Sequence, residues 1–180
     1  AGGQRADVLR AGARSLEAVS RRLATVACDA AGKLREQADA EVSEAVDFAT
    51  YYASLATEVV PGARQLPPRV TVVASPWNFP IAIPLGGVAA ALAVGSAVVL
   101  KPAPSARRVA AVLAESLWDA GVPRGLLQLA VLDDGPLGRD LITDTRVEQV
   151  LLTGSAETAE LFRTWRPGLP LLAETSGKNA

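Results

Sequence analysis

Apolar residues in the first third of the chain recur at intervals of mainly three and four. From Asp7 to about Cys28, Val8, Leu9, Leu16, Val19, Leu23 and Val26 follow that spacing with arginines between them. This predicts one amphipathic helix, with Gly32 marking its end or a break. A second helix is predicted from about Ala38 to Ala56. Val42, Ala45, Val46, Ala49, Tyr52 and Leu55 form its apolar stripe, and Glu41, Glu44 and Asp47 stand among its outward positions. Both helices are expected to be packing elements. Pro61-Gly62 and Pro67-Pro68 then bracket a loop.

Beyond a boundary near Arg69 the pattern changes to short strands alternating with helices. Strand Val70–Ala74 leads to helix Ile81–Val94, and strand Ala97–Leu100 to helix Ala106–Ala120, closed by Gly121 with Pro123 just after it. Strand Leu126–Val131 leads through Asp133-Asp134-Gly135-Pro136 to a short helix around Leu137–Ile142. Strand Gln149–Leu152 leads through Thr153-Gly154-Ser155 to helix Ala156–Trp165, and Leu169–Ala173 is the last strand. The expected fold class is α/β: a mainly parallel, doubly wound sheet with right-handed crossovers, preceded by two amphipathic helices. Residues 1–68 form the helical segment and 69–180 the α/β region. There is no internal repeat and no low-complexity tract.

Ile81 to Leu100 is twenty residues without a charge, the length of a membrane span. Pro84, Gly86-Gly87 and Gly95-Ser96 interrupt it, and alanine gives way to Val98-Val99-Leu100 after the second break, so a buried helix, turn and strand are expected instead. The net charge of −1 carries no long block of one sign, which points away from nucleic acid and acidic lipid as partners. One cysteine, Cys28, precludes an intramolecular disulfide, and the lack of histidine argues against a Cys/His metal site. No export signal is recognisable, and the cytoplasm is the expected compartment. Cys28 reads as a small buried hydrophobe of the first helix.

Candidate chemistry lies in the turns after strands, which a parallel sheet gathers at one edge. Val70 to Pro84 places a strand before Ser75-Pro76-Trp77-Asn78-Phe79-Pro80, a rigid polar turn. Taken singly, Asn78 reads as a turn or capping residue and Trp77 as a packing aromatic. Lys101 can project a cation into the crevice or be a solvated loop lysine. Thr153-Gly154-Ser155 opens a helix, where Gly154 admits a phosphate or Ser155 acts as N-cap. Glu174 is either a general base or the ion-pair partner of Lys178. A G-x-G-x-x-G fingerprint is absent, so an ordinary Rossmann dinucleotide site is not expected.

Together these motifs resemble a known family. Ser75-Pro76-Trp77-Asn78-Phe79-Pro80, Leu100-Lys101-Pro102-Ala103-Pro104, Leu152-Thr153-Gly154-Ser155 and Leu172-Ala173-Glu174-Thr175-Ser176-Gly177-Lys178-Asn179, in this order, resemble the aldehyde dehydrogenase superfamily. The last motif, with Glu41 to Tyr52 and Leu161 to Pro167, looks most like L-glutamate γ-semialdehyde (1-pyrroline-5-carboxylate) dehydrogenases, particularly the C-terminal half of bifunctional proline-utilization enzymes.

The resemblance implies oxidation of L-glutamate γ-semialdehyde to L-glutamate through a cysteine thiohemiacetal and thioester, with hydride passing to NAD. An aldehyde dehydrogenase of other specificity and a non-catalytic scaffold of the same fold are the alternatives. Asn78 matches the amide that holds the oxyanion, and Glu174 the carboxylate that activates water in many members. Lys101, within Lys101-Pro102-Ala103-Pro104, matches the lysine that bonds the adenosine ribose. Gly154 and Ser155 match the turn facing the pyrophosphate, Thr158 the adenine side, and Ser75, Pro76 and Trp77 the wall beside the cofactor. Pro104 stands where the family often has a glutamate that repels a 2′-phosphate, so NAD is expected with NADP not excluded. Ser176 replaces a glycine common in the family. The nucleophilic cysteine is expected downstream of Ala180. On that reading the 180 residues alone are an N-terminal part without turnover, and the complete protein is a homo-oligomer acting on a small aldehyde.

Overall fold

The computed structural model describes residues 2–58, 62, 66–132 and 135–176. Pro61, Asp133, Asp134 and the motif residues Gly177, Lys178 and Asn179 lie outside that set. Three helices, α1 (Gly2–Ala18), α2 (Ser20–Ala31) and α3 (Arg35–Leu55), precede the sheet. The single helix expected from Asp7 to Cys28 is thus two. Val19, at φ −104° and ψ 12°, leaves helical geometry between them, and Ser20 after it is a residue type whose hydroxyl competes for backbone hydrogen bonds. Gly32 does end α2, in the left-handed region at φ 63°.

The rest alternates as the pattern predicts: β1 (Val70–Ser75), α4 (Ala82–Val94), β2 (Ala97–Pro102), α5 (Arg107–Asp119), β3 (Leu127–Leu129), α6 (Pro136–Thr143), β4 (Gln149–Gly154), α7 (Ala156–Trp165) and β5 (Leu171–Thr175). A 3₁₀ turn, Pro104–Ala106, leads into α5. All strand pairs are parallel, in the order β3-β2-β1-β4-β5. The chain therefore starts in mid-sheet, builds outward through β2 and β3, and returns to the other side of β1. That reversal between β1 and β4 is the point at which open α/β sheets form a ligand crevice.

Alternation along the strands divides the core. Val73, Val98 and Leu100 face a cluster built with α1 to α5, whereas Val72, Ala74, Val150 and Leu152 face one built with Ile142 of α6 and Ala159 and Phe162 of α7. Helix α4 is sandwiched between the sheet and the N-terminal helices. Nine of its thirteen residues are buried, which is why its sequence is apolar all round. Pro84 is accommodated in its first turn, where an N–H has no intrahelical acceptor, and Gly95 closes it at φ 98°. Among the described residues no helix is long and apolar enough to cross a membrane.

Close approach of α4 to β1 depends on Gly87. A Cβ at that position would stand 2.9 Å from Val73 Cγ1. On the opposite side α3 contributes a stripe of small residues, Ala38, Ala45, Ala49 and Ala53, all buried. In line with that stripe sits Glu41, expected to point outward but only 2% exposed. Position 41 falls three residues after Ala38 and four before Ala45, so helical geometry carries it inward with them. Cys28 packs against the same cluster while retaining intermediate exposure, less buried than expected.

Candidate functional site

Strand register determines which turns meet. Ala74 pairs with Lys101 on one side and Leu152 on the other; Ser75 pairs with Pro102; Thr153 pairs with Glu174, and Gly154 with Thr175. The carboxyl ends of β2, β1, β4 and β5 therefore stand side by side, and the turns singled out in the sequence open onto one edge. They surround a cleft of about 770 Å³, within the usual range for small-molecule sites.

Ser75, Pro76, Trp77 and Asn78 line one wall of the cleft, Lys101, Ala103 and Pro104 the next, and Gly154, Ser155 and Thr158 the third. Leu161, Phe162 and Trp165 of α7 form an apolar side, with the Phe162 and Trp165 rings stacked at a centroid separation of 5.5 Å. Glu174, Thr175 and Ser176 close the β5 side. Pro102 is the exception: it is buried at the end of β2 and does not line the cleft.

Several side chains differ from their single-residue readings. Lys101 is not a solvated loop residue. It lies within β2 and is 8% exposed, on the strand face that alternation gives to the α6 and α7 side. Trp77 is not packed but 57% exposed in the turn after β1. Ser75 is buried at the end of β1, and its Oγ has no hydrogen-bond partner among the described residues. A buried hydroxyl left unsatisfied is costly, and this one borders the cleft. Ser155 is the N-cap of α7, its Oγ accepting from Thr158 N at 3.2 Å. Glu157 in the same first turn is held below its ordinary range by its own N–H and by the Ser155 hydroxyl, so part of that helix end is satisfied internally.

Asn78 is exposed, and its main-chain carbonyl is fixed from an unexpected direction. Lys33, in the loop before α3, donates from Nζ to Asn78 O at 2.8 Å. Its ammonium also lies 2.8 Å from Glu41 Oε2 and 4.2 Å from the Phe79 ring centroid. Glu41 Oε1 accepts from Ile81 N at 2.7 Å and Ala82 N at 3.1 Å, the first donors of α4. Neither Lys33 nor Glu41 stands out as a site residue in the sequence. The available signal is a glutamate in register with an alanine stripe, where residue type alone suggests an outward position.

Glu174 is exposed on the edge strand and borders both this cleft and an adjoining groove of about 530 Å³ lined by Phe48, Tyr52 and Leu151. Burial, then the neighbouring Tyr51 and the Glu174 carboxylate, push the Tyr52 phenol up. The alternative partner, Lys178, lies outside the described residues. Cys28 lines neither space, and the described residues contain no His/Cys/Asp/Glu group suited to a metal ion.

Known proteins are similar to the chain in sequence and in fold. The chain is similar to the bifunctional protein PutA of Escherichia coli, 40% identical over 98% of this chain and 14% of the relative. It is 36% identical to 1-pyrroline-5-carboxylate dehydrogenase 1 of Halalkalibacterium halodurans, over 77% of this chain and 30% of that protein. The structure of proline utilization A from Corynebacterium freiburgense superimposes with a TM-score of 0.95 at 46% identity, covering 99% of this chain and 19% of that one. The chain thus spans well under half the length of these relatives. The model of the aldehyde dehydrogenase family matches residues 1–180, and the chain belongs to that family.

Proposed function

We propose that this chain provides the cofactor-binding part of a nicotinamide-dependent dehydrogenase that oxidises L-glutamate γ-semialdehyde to L-glutamate in proline breakdown. The observation that carries the reading is the convergence of four turns, after β1, β2, β4 and β5, on one cleft at the switch point of the sheet. Similarity to PutA and to a 1-pyrroline-5-carboxylate dehydrogenase supports the substrate.

The residues present fit a dinucleotide. The cleft is of suitable size, the Ser75 hydroxyl that borders it has no partner among the described residues, and Lys101 brings a nearly buried cation to its wall. Lys101 would bond the adenosine ribose, the Gly154 to Ser155 turn would face the pyrophosphate, and Thr158 the adenine. Ser75, Pro76 and Trp77 would wall the nicotinamide end, with Ala103 and Pro104 beside the ribose. When bound, the nicotinamide accepts hydride from the substrate carbon. NAD is the proposed form, although Pro104 supplies no carboxylate against a 2′-phosphate.

Asn78 supplies a neutral amide donor for the oxygen that becomes negatively charged when the aldehyde is attacked. Such a donor accelerates the step because it is oriented before charge develops. Glu174, exposed at the cleft margin, would take a proton from the water that hydrolyses the thioester to the acid product. Helices α1 to α3 cover one face of the α/β region. The same reading places the complete enzyme in the cytoplasm as a homo-oligomer.

Kinetics of the complete polypeptide carrying this chain test the reading, with formation of reduced nicotinamide followed for glutamate semialdehyde and for simple aliphatic aldehydes. A clearly higher kcat/KM for the semialdehyde is expected. Equal or lower values would remove the substrate assignment, and the absence of oxidation of every aldehyde would remove the activity.

A further inference from the structure

The turn that carries Asn78 is fastened by a charge pair outside the cleft lining. Lys33 and Glu41 side chains are 10% and 1% exposed. One ammonium holds the start of the turn through Asn78 O and the face of Phe79, and one carboxylate holds its end through Ile81 N and Ala82 N. The pair is itself closed at 2.8 Å. Removing two charges from water is expensive, and an apolar pair of the same volume would often stabilise the fold as well or better. What the ions supply that apolar groups cannot is direction: two main-chain donors and one acceptor of the same turn are each fixed by a directional partner. Among the described residues the Asn78 side chain makes no hydrogen bond of its own, so its aim follows from the backbone that Lys33 and Glu41 hold.

We propose that Lys33 and Glu41 are positioning residues for the Asn78 amide. This rests on the reading of Asn78 as oxyanion donor. Because such a donor works through preorganisation, and misplacement by an ångström can cost about a hundredfold in rate, releasing the turn lowers kcat without altering cofactor affinity.

The test uses the complete polypeptide and four variants: Lys33→Met, Lys33→Arg, Asn78→Ala and the double change Lys33→Met with Asn78→Ala. Three quantities are measured: kcat and KM, the Kd for NAD, and amide hydrogen exchange over residues 76–82 against β1 and β2. Lys33→Met is expected to lower kcat about tenfold to a hundredfold, with Kd for NAD unchanged within about twofold and exchange faster only over 76–82. Lys33→Arg recovers part of the loss, and the double variant loses no more than Asn78→Ala alone, since both act through one amide. Losses that multiply in the double variant, or unchanged exchange over 76–82 with a full loss in Asn78→Ala, would overturn the positioning role alone. Faster exchange throughout the sheet in Lys33→Met would reduce the pair to a general stabiliser and overturn it too. Full activity in Asn78→Ala would overturn the oxyanion reading itself, and the proposal with it.

Discussion

The carboxylate of Glu41, in the second turn of α3, accepts the main-chain N–H of Ile81 at 2.7 Å, forty residues further along the chain. An acidic side chain thereby caps the beginning of a helix on a different element. Replacing it by alanine leaves the Ile81 and Ala82 donors buried and the Lys33 ammonium without its counter-ion. Glu41→Ala is therefore expected to destabilise the protein by about 3–5 kcal/mol, the range for breaking one side of a buried pair. Denaturant unfolding would measure it, and a loss below about 1 kcal/mol would show that water replaces the carboxylate freely.

Gly87 predicts a steric effect on the opposite face of α4. Alanine is the better helix former by about 1 kcal/mol, but its methyl group would meet Val73 Cγ1 at 2.9 Å, and valine has no flexible end to move aside. Overpacking of this kind costs about 1–3 kcal/mol, so Gly87→Ala should be net destabilising by up to about 2 kcal/mol. Adding Val73→Ala should relieve the clash, and the two changes together should cost less than their sum. Additive losses in thermal melts would contradict the contact.

Ser75 and Lys101 make separable predictions for the cleft. Ser75→Ala removes a buried hydroxyl that lacks a partner among the described residues, so the free protein should be unchanged or stabilised by about 1 kcal/mol while its affinity for NAD falls. A loss of stability would mean that the hydroxyl is satisfied in solution. Lys101→Met should weaken NAD by about 1.5–3 kcal/mol, roughly tenfold to a hundredfold, the worth of a hydrogen bond to a charged group. Isothermal titration of the complete polypeptide reads both.

Pro104→Glu is expected to raise the preference for NAD over NADP. A carboxylate beside the ribose can accept from the 2′-hydroxyl and repels a 2′-phosphate. The ratio of kcat/KM for the two cofactors measures the change, and an unaltered ratio would show that position 104 does not reach the ribose.

An acid-range prediction concerns Asp144 and Arg146, outside the cleft. Arg146 donates from its guanidinium and its main chain to the Asp144 carboxylate, lowering it from the ordinary 3.8 to about 2. Because the folded value lies below the unfolded one, the stabilisation is complete above the unfolded value and is lost as pH falls through about 2. A carboxyl-carbon NMR titration should give a midpoint near about 2, moving up toward 3.8 in Arg146→Gln. An identical midpoint in the variant would rule out Arg146 as the cause.

Much of the fold was legible because its signals are local. The β-branched runs at Val70 to Val73 and Val98-Val99, the glycine stops at Gly32, Gly95 and Gly121, and the helical run Ala156–Trp165 depend on neighbours within a few positions. The carboxyl ends of β1, β2, β4 and β5 run past their expected limits, whereas β3 is shorter than expected, Leu127–Leu129 rather than Leu126–Val131, and β5 starts at Leu171 rather than Leu169. Lys101 and Pro102 extend β2, and Thr153 and Gly154 extend β4, because pairing with β1 and β5 continues past the last apolar residue. The four turns could also be assigned to one edge from the sequence, since parallel strands connected by helices present all their carboxyl ends the same way.

What the sequence determined by itself is the alternation of elements, the polar turns that end the strands and, through their wording, the family. The tertiary structure decided which of those turns are neighbours, through the order β3-β2-β1-β4-β5, and how deeply their side chains sit. It buried Lys101 within β2 at the wall of the cleft, left the Ser75 hydroxyl without a partner among the described residues, and turned Glu41 inward to meet Lys33 and the start of α4. Burial and ion pairing are properties of partners far apart in the chain. Residue type gives the average preference of a glutamate or lysine for water, and only the packing of α3 against α4 shows where that preference is overridden.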